Sequence, residues 1–485
     1  MTNRPSRRGF RDSWMVRAIL LATIALAIPA MGSGADHASA NTAWSVASPS
    51  ELDVDPEPLE RLRVDLRAGV LQNMHSVVLI KDGRLVFEEY VNGYDRDRLQ
   101  YTASISKSVG SLLFGIAIDR GLLPSLDDGI LDMTLAELLP EYRSVIEQDP
   151  RKASVTLHHV LSMTAGLQWD EESHPYSDPR NDWNRASHSD DPVRFVLECP
   201  VEAEPGSVFE YNGGLSIILS YLIERESNLK ADEFAEGALF GPLGISDLRW
   251  ERLQSGLTDT DGGLHMRPRD MARIGQMTLD GGVWHGVSVI SQDWVEASTR
   301  AYIENDNSPD YGYQWWCGDF HHHGKTDFSY LASGHGGQTI FVFPDLRAVV
   351  VISQEVFDNP MGSLSGLAIL NRYVLPAVDP DSRPATAVEL PSQMLARYAG
   401  TYEAGPVSLI VTLTDTGLHA QGSDGTSTDL VPLGGHAFRG TLLGLLDLWF
   451  EFAEGHEGEI EQLTSRFGFR ETVMVKRLVG TGREE

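Results

Sequence analysis

Apolar residues recur at helical spacing over residues 59–71, then change to the stretch Ser76-Val77-Val78-Leu79-Ile80, apolar after its serine. The first pattern predicts a helix and the second a strand. Lys81-Asp82-Gly83-Arg84 reads as a hairpin turn, with the return strand at 85–90. The run Leu112, Leu113, Phe114, Ile116, Ile118 predicts a helix opening near Ser104. Helical patterns follow at 134–139, 157–163, 215–225 and 270–279. Apolar strands return at 338–343 and 348–352, joined by the turn Pro344-Asp345-Leu346-Arg347. This order predicts an α+β fold: an antiparallel sheet assembled from both ends of a domain, with a helical region inserted between. Pro376, Pro380, Pro384 and Pro391 mark residues 376–392 as a linker. Beyond it, short apolar or alternating stretches at 408–413, 430–433, 448–452, 461–467 and 472–475 alternate with glycine-rich turns. They predict a small antiparallel sheet or barrel over residues 393–485. No internal repeat or low-complexity tract interrupts the pattern.

Composition narrows the partners more than the fold. Apolar residues make up 42% of the 485, enough for a substantial core, and the length suits one large and one small domain. The net charge is −30, which argues against nucleic acid and anionic membranes as partners. The N-terminal residues differ from the rest. Arg4, Arg7, Arg8 and Arg11 precede an apolar stretch at 18–30, and Ala38-Ser39-Ala40 follows. This predicts a signal peptide over residues 1–40, cleaved at an A-x-A site. Ser6-Arg7-Arg8-Gly9-Phe10 resembles a twin-arginine signal. The apolar stretch is short for a membrane span, although an uncleaved anchor is the alternative. The expectation is export to the bacterial periplasm or medium, without stable membrane insertion. Cys199 and Cys317 are the two cysteines; they form either a disulfide or two buried thiols, and two distant cysteines do not make a zinc site.

Candidate chemistry centres on Ser104 and Lys107. On a helix, a three-residue step puts the hydroxyl and the amine on one face. An amine with a lowered pKa can take the proton of a serine nucleophile, and a helix N-terminus favours a developing oxyanion. The spacing alone is weak evidence, because Ser227-Asn228-Leu229-Lys230 repeats it at the polar end of a predicted helix. Two further segments supply companions. Tyr211, followed by Asn212, offers a hydroxyl that can shuttle a proton if neighbouring cations pull it below its ordinary pKa of about 10. Gly334-His335-Gly336-Gly337-Gln338 opens an apolar strand, where glycines let substrate approach the backbone. A strand N–H there can serve with the Ser104 N–H as an oxyanion hole.

The order Ser-x-x-Lys, Tyr motif, His-x-Gly resembles the penicillin-binding-protein and class C β-lactamase superfamily of serine hydrolases. Thr156 to Leu167, Asp270-Met271-Ala272-Arg273-Ile274-Gly275 and Tyr311-Gly312-Tyr313-Gln314-Trp315-Trp316 are also similar to segments of that family. The resemblance covers roughly residues 55 to 375 and looks nearest to the esterase and 6-aminohexanoate-oligomer-hydrolase branches. It implies a β-lactamase/transpeptidase-like catalytic domain over residues 41–375 that needs no cofactor or metal. Its substrate would be a small ester, amide or short peptide-like molecule. It implies Ser104 as the acylated nucleophile, Lys107 as its base or relay, and Tyr211 as the group that protonates the leaving group. His335 stands where lactamases carry Lys. The N–H groups of Ser104 and Gln338 would form the oxyanion hole, with Asn212, Gly336, Gly337 and Trp315 lining the substrate site. Two departures matter: Asn212 sits one place early in the Tyr motif, and His335 offers no fixed cation for a β-lactam carboxylate. The readings are an ester or amide hydrolase, a β-lactamase or D-amino-acid peptidase, and a penicillin-binding-like sensor without turnover. His321-His322-His323 reads as a solvent-exposed loop, and the polar stretch 170–191 as a wall of the substrate pocket.

Overall fold

The computed structural model describes residues 44–477 apart from 306–308, 358–363, 443, 445 and 457. The export-signal reading of residues 1–40 lies outside the described residues. Strands β1 (Met74–Lys81) and β2 (Arg84–Tyr90) form the expected hairpin. Its turn places Asp82 at φ 49° and Gly83 at φ 73°, the left-handed pair that two-residue hairpins require. The other sheet strands come from the far end of the domain: β3 (Asp310–Tyr311), β4 (Trp316–His322), β5 (Lys325–Gly334), β6 (Gln338–Phe343) and β7 (Ala348–Gln354). The seven strands lie in the order β2-β1-β7-β6-β5-β4-β3, antiparallel throughout.

Strands β6 and β7 are buried along their whole length, so they read as continuous apolar runs. Alternate residues serve different cores. Val78, Ile80, Ile340, Val342, Val349 and Val351 pack towards the inserted helices. Val77, Leu79, Phe341, Phe343, Val350 and Ile352 pack towards helix α1 (Pro56–Arg67) and the helical turn Leu375–Val378. That period-two partition makes three layers, helix on sheet on helix. Helix α1 begins three residues before its apolar pattern, because Asp55 accepts the Glu57 N–H and Pro56 fills the first turn. Pro376 begins a helical turn that buries Ala377, so the proline-marked stretch starts inside the core.

Three longer helices matter for the site: α2 (Ile105–Asp119), α3 (Gly213–Ser227) and α4 (Pro268–Leu279). Helix α2 is buried from Ile105 to Ile118. Burying each of Leu112, Leu113, Phe114 and Ile116 contributes about 1.5–3 kcal/mol. Helix α4 lies close on the sheet because Gly275 has no side chain; a Cβ there would sit 2.6 Å from Val349 and 2.8 Å from Ile340.

The C-terminal stretches form a closed antiparallel barrel of eight strands: β8 (Gly400–Ala404), β9 (Val407–Thr414), β10 (Gly417–Gly422), β11 (Ser427–Gly434), β12 (Ala437–Leu442), β13 (Leu446–Glu454), β14 (Ile460–Phe467) and β15 (Arg470–Lys476). Tyr402, Phe438, Phe450, Phe452 and Leu463 fill its interior. The barrel docks on β4: the His321 N–H donates to the Gly468 carbonyl at 2.6 Å, and Phe469 stands edge-on to Phe320 at 5.1 Å. This corrects the reading of His321-His322-His323 as a solvent-exposed loop. His322 is buried and bonded to Asp327 at 2.5 Å, because the barrel covers the end of β4. Among the described residues, no helix is long and apolar enough to cross a membrane. Cys199 and Cys317 are both free thiols.

Candidate active site

Ser104 is the N-cap of α2, and Lys107 lies one turn along, with Nζ 3.1 Å from Ser104 Oγ. The approach to the helix is strained: Ala103 is a buried non-glycine residue at φ 47°. Its carbonyl is occupied by the Ser106 N–H at 3.0 Å and the Ser106 hydroxyl at 2.7 Å. Thr102 is tied to the Leu264 carbonyl through its N–H (2.9 Å) and its hydroxyl (2.7 Å), and the Leu264 N–H returns to Ser106 Oγ at 3.1 Å. These bonds fix the turn at residues 259–263 beside α2 and deliver Asp261 to Lys107.

Asp261 is the partner that sequence reasoning missed. Its carboxylate makes an ion pair with Lys107 Nζ, and both side chains are buried. The turn is locked from within, because Asp259 Oδ1 accepts the N–H groups of Asp261 (3.1 Å) and Gly262 (3.0 Å). Glu171 closes the other side. One of its oxygens accepts from Trp169 Nε1 at 2.6 Å and from the Gly213 N–H at 2.7 Å. Gly213 sits between the two acids: a Cβ there would fall 2.5 Å from Asp261 Oδ1 and 2.9 Å from Glu171 Oε2. The signal available in the sequence was Asp259-Thr260-Asp261-Gly262-Gly263, a tight acidic turn shortly before the predicted helix at 270–279.

This geometry reverses two electrostatic expectations. Burial alone would push the Lys107 amine down, but Asp261, with Tyr211 and Glu171 behind it, holds it well above its ordinary value. Lys107 is therefore an ammonium in the resting site. Burial also pushes the Tyr211 hydroxyl up, against the pull of Lys107, so it stays protonated at neutral pH. Burial and then the Asp261 charge push Glu171 up to about 7. The same two causes push Asp259 up to about 7.

Tyr211 lies with its ring 4.6 Å from Lys107 Nζ and its hydroxyl on the Ser104 side of the site. Its ring stacks on Trp316 at 5.8 Å, and Tyr311 stands edge-on to both. The place beside Tyr211 therefore belongs to Trp316 rather than Trp315, which the sequence reading put in the substrate site. Trp315, the residue before β4, is fully buried with its ring edge-on to Tyr330. Asn212 is 2% exposed and turns Oδ1 back over the first turn of α3, 2.9 Å from where a Gly214 Cβ would lie.

The glycine segment turns between β5 and β6. Gly334 packs on the nucleophile loop; a Cβ there would be 2.1 Å from the Thr102 carbonyl oxygen. Gly336 (φ 90°) and Gly337 (φ 89°) take the left-handed turn, and Gln338 opens β6 opposite Gly334. The Gln338 side chain donates to the Gln354 carbonyl. His335 is exposed; its ring contacts are Tyr176 at 5.6 Å and Phe357 at 5.4 Å rather than Tyr211. Tyr176 comes from the polar stretch 170–191, and its hydroxyl reaches Glu171 at 3.4 Å. Asn181 orders that stretch by donating to the carbonyls of Glu171 (3.0 Å) and His174 (2.8 Å). The second Ser-x-x-Lys lies on the surface, with Lys230 paired to Glu224 at 2.9 Å. Among the described residues, no group of three or more His, Cys, Asp or Glu is placed to hold a metal. A cavity of about 960 Å³ opens elsewhere, beside Trp44, Gln276 and Trp284, and shares no lining residue with the Ser104 site. Convergent polar groups, not volume, mark the site.

Comparison with known proteins agrees with the fold. The chain is 25% identical over 328 residues to the 6-aminohexanoate-dimer hydrolase of Paenarthrobacter ureafaciens, covering 63% of this chain and 79% of that protein. Among solved structures, it resembles the octameric penicillin-binding protein homologue from Pyrococcus abyssi, with TM-score 0.51, 20% identity and coverage of 87% of this chain and 100% of that one. It also resembles EstCE1, a hydrolase with promiscuous acyltransferase activity, with TM-score 0.51, 14% identity and coverage of 64% and 97%. The profile of the Beta-lactamase family matches residues 69–368, from just before β1 to beyond β7. With more than half of its length matched in this way, the chain belongs to the Beta-lactamase family.

Proposed function

We propose that this chain is a serine hydrolase that cleaves an ester or linear amide through an acyl-enzyme on Ser104. The observation that carries the reading is the Lys107 amine 3.1 Å from the Ser104 hydroxyl at a helix N-terminus, beneath the Tyr211 ring. Ser104 Oγ attacks the acyl carbon, and the helix N-terminus stabilises the oxyanion that forms. Tyr211 gives a proton to the departing alcohol or amine, since burial keeps its hydroxyl protonated beside Ser104. Water then attacks the acyl-enzyme and releases the acid. The backbone N–H of Gln338 is proposed as the second oxyanion donor; the packing of Gly334 on the Thr102 carbonyl supports that placement. The exposed His335 supports an ester or neutral amide over a β-lactam, because it supplies no permanent cation for the lactam carboxylate.

Mass spectrometry after treatment with a fluorophosphonate should find one adduct, on Ser104, and Ser104→Ala should abolish it. A panel of p-nitrophenyl esters, nitrocefin and linear amide oligomers should show cleavage of the esters or oligomers and none of nitrocefin. Undiminished adduct in Ser104→Ala would defeat the assignment, and acylation without release would replace the hydrolase with a binding domain.

A further inference from the structure

As the Ser104 oxygen attacks, its hydroxyl must lose a proton, and the two nearest groups cannot accept one. Lys107 is already an ammonium, and Tyr211 is a neutral phenol. The same Lys107 amine that lies 3.1 Å from Ser104 Oγ is paired with the Asp261 carboxylate, which is 4% exposed. Two opposite charges this deeply buried gain Coulomb energy but lose hydration, which brings the neutral pair of amine and carboxylic acid nearer in energy than it would be without the hydration loss. A substrate that fills the cleft and expels water brings it closer still.

We propose that Asp261 is a positioning residue of the reaction, the terminal proton acceptor behind Lys107, an inference that rests on the reading of Ser104 as an acylated nucleophile. The Ser104 Oγ electron pair forms the bond to the acyl carbon while the carbonyl π pair moves onto its oxygen. In the same step the Oγ proton passes to Lys107 Nζ, and one Nζ proton passes to an Asp261 carboxylate oxygen. Lys107 ends as it began, an ammonium. Asp261 ends as a neutral acid, and its negative charge has in effect moved to the tetrahedral oxyanion. When the intermediate collapses, Tyr211 gives its proton to the leaving group, Lys107 replaces the Tyr211 proton, and Lys107 regains one from Asp261.

The surroundings set the pH behaviour. Asp261 is faced by Lys107 from α2, by Glu171 across Gly213, by Asp259 within its own turn, and by Tyr101, Tyr176, Tyr211 and Tyr311. Negative charge on Glu171 or Asp259 makes Asp261 a better proton acceptor, and protonating either weakens it. Acylation should therefore fall as pH drops through about 7, where both neighbours titrate.

The experiment follows acylation of the full chain by p-nitrophenyl acetate, with the adduct located by mass spectrometry. In wild type, a proton inventory in H₂O/D₂O mixtures should curve, the signature of two protons in flight. Asp261→Asn should acylate about 100-fold or more slowly at pH 7, Asp261→Glu should recover part of the rate, and the acid limb should disappear in Asp261→Asn. If Lys107 acts alone, Asp261→Asn lowers its pKa and speeds acylation at pH 7; a rate equal to or above wild type overturns the proposal. A linear inventory overturns it too, and needs no variant that might misfold. Absence of any Ser104 adduct in wild type defeats the acyl-enzyme reading itself, whereas a linear inventory on an adduct that does form defeats only the relay.

Discussion

At the scale of single residues, the site is an ammonium ringed by buried acids. Glu171 is 3% exposed and pushed up to about 7 from an ordinary 4.5. A carboxyl whose folded pKa is raised favours the native state fully below its unfolded pKa, and that benefit is lost as pH rises through the folded pKa. Wild type should therefore lose stability relative to Glu171→Gln between pH 5 and pH 8, by up to roughly 3 kcal/mol. Melting curves of both proteins at the two pH values check this; a difference that stays constant with pH would contradict it. The same burial explains why Lys107 behaves unlike an isolated buried lysine. Desolvation pushes its amine down, yet the nearby Asp261 decides the sign.

At the scale of elements, close approach is bought with missing side chains. Helix α2 packs with Gly115 against Trp294, where a Cβ would lie 2.3 Å from the indole. Strand β5 reaches the nucleophile loop only because Gly334 presents no Cβ to the Thr102 carbonyl. Gly334→Ala should force the strand end and the Ala103 loop apart. The expected result is about 1–3 kcal/mol lower stability and at least a tenfold loss of acylation rate, read by melting and by p-nitrophenyl acetate turnover. Unchanged turnover would mean that the strand does not support the nucleophile.

At the scale of the whole molecule, the barrel and the sheet belong to one compact unit. The contact is specific: Phe469 on Phe320, Trp449 over Gly324, and the Gly468 carbonyl on the His321 N–H. Phe469→Ala removes a half-buried ring from this junction and should cost about 1–3 kcal/mol, detectable as a lower melting midpoint. If sheet and barrel melt together in wild type and separately in the variant, the junction couples them. No change in the midpoint would show that the barrel docks without contributing stability.

Much of this arrangement was legible in the chain itself. Continuous apolar runs at 340–343 and 348–352 specify buried strands, and the Lys81–Arg84 turn specifies its hairpin, because those signals are local and strong. The helix behind Ser104 follows from its apolar run, and with it the one-turn spacing to Lys107. Barrel strands β8, β10 and β12 escaped because they are short, are edged by glycine and bury only one or two large side chains each. Sequence alone determined the β1–β2 hairpin, strands β6 and β7, the helix behind Ser104 and the Ser104–Lys107 pair, since each depends on residues a few positions apart. Only the tertiary structure decided the charge on that pair. Asp261 lies 154 positions from Lys107, and the field of one buried group on another depends on distance through space and on excluded water, neither of which is written along the chain.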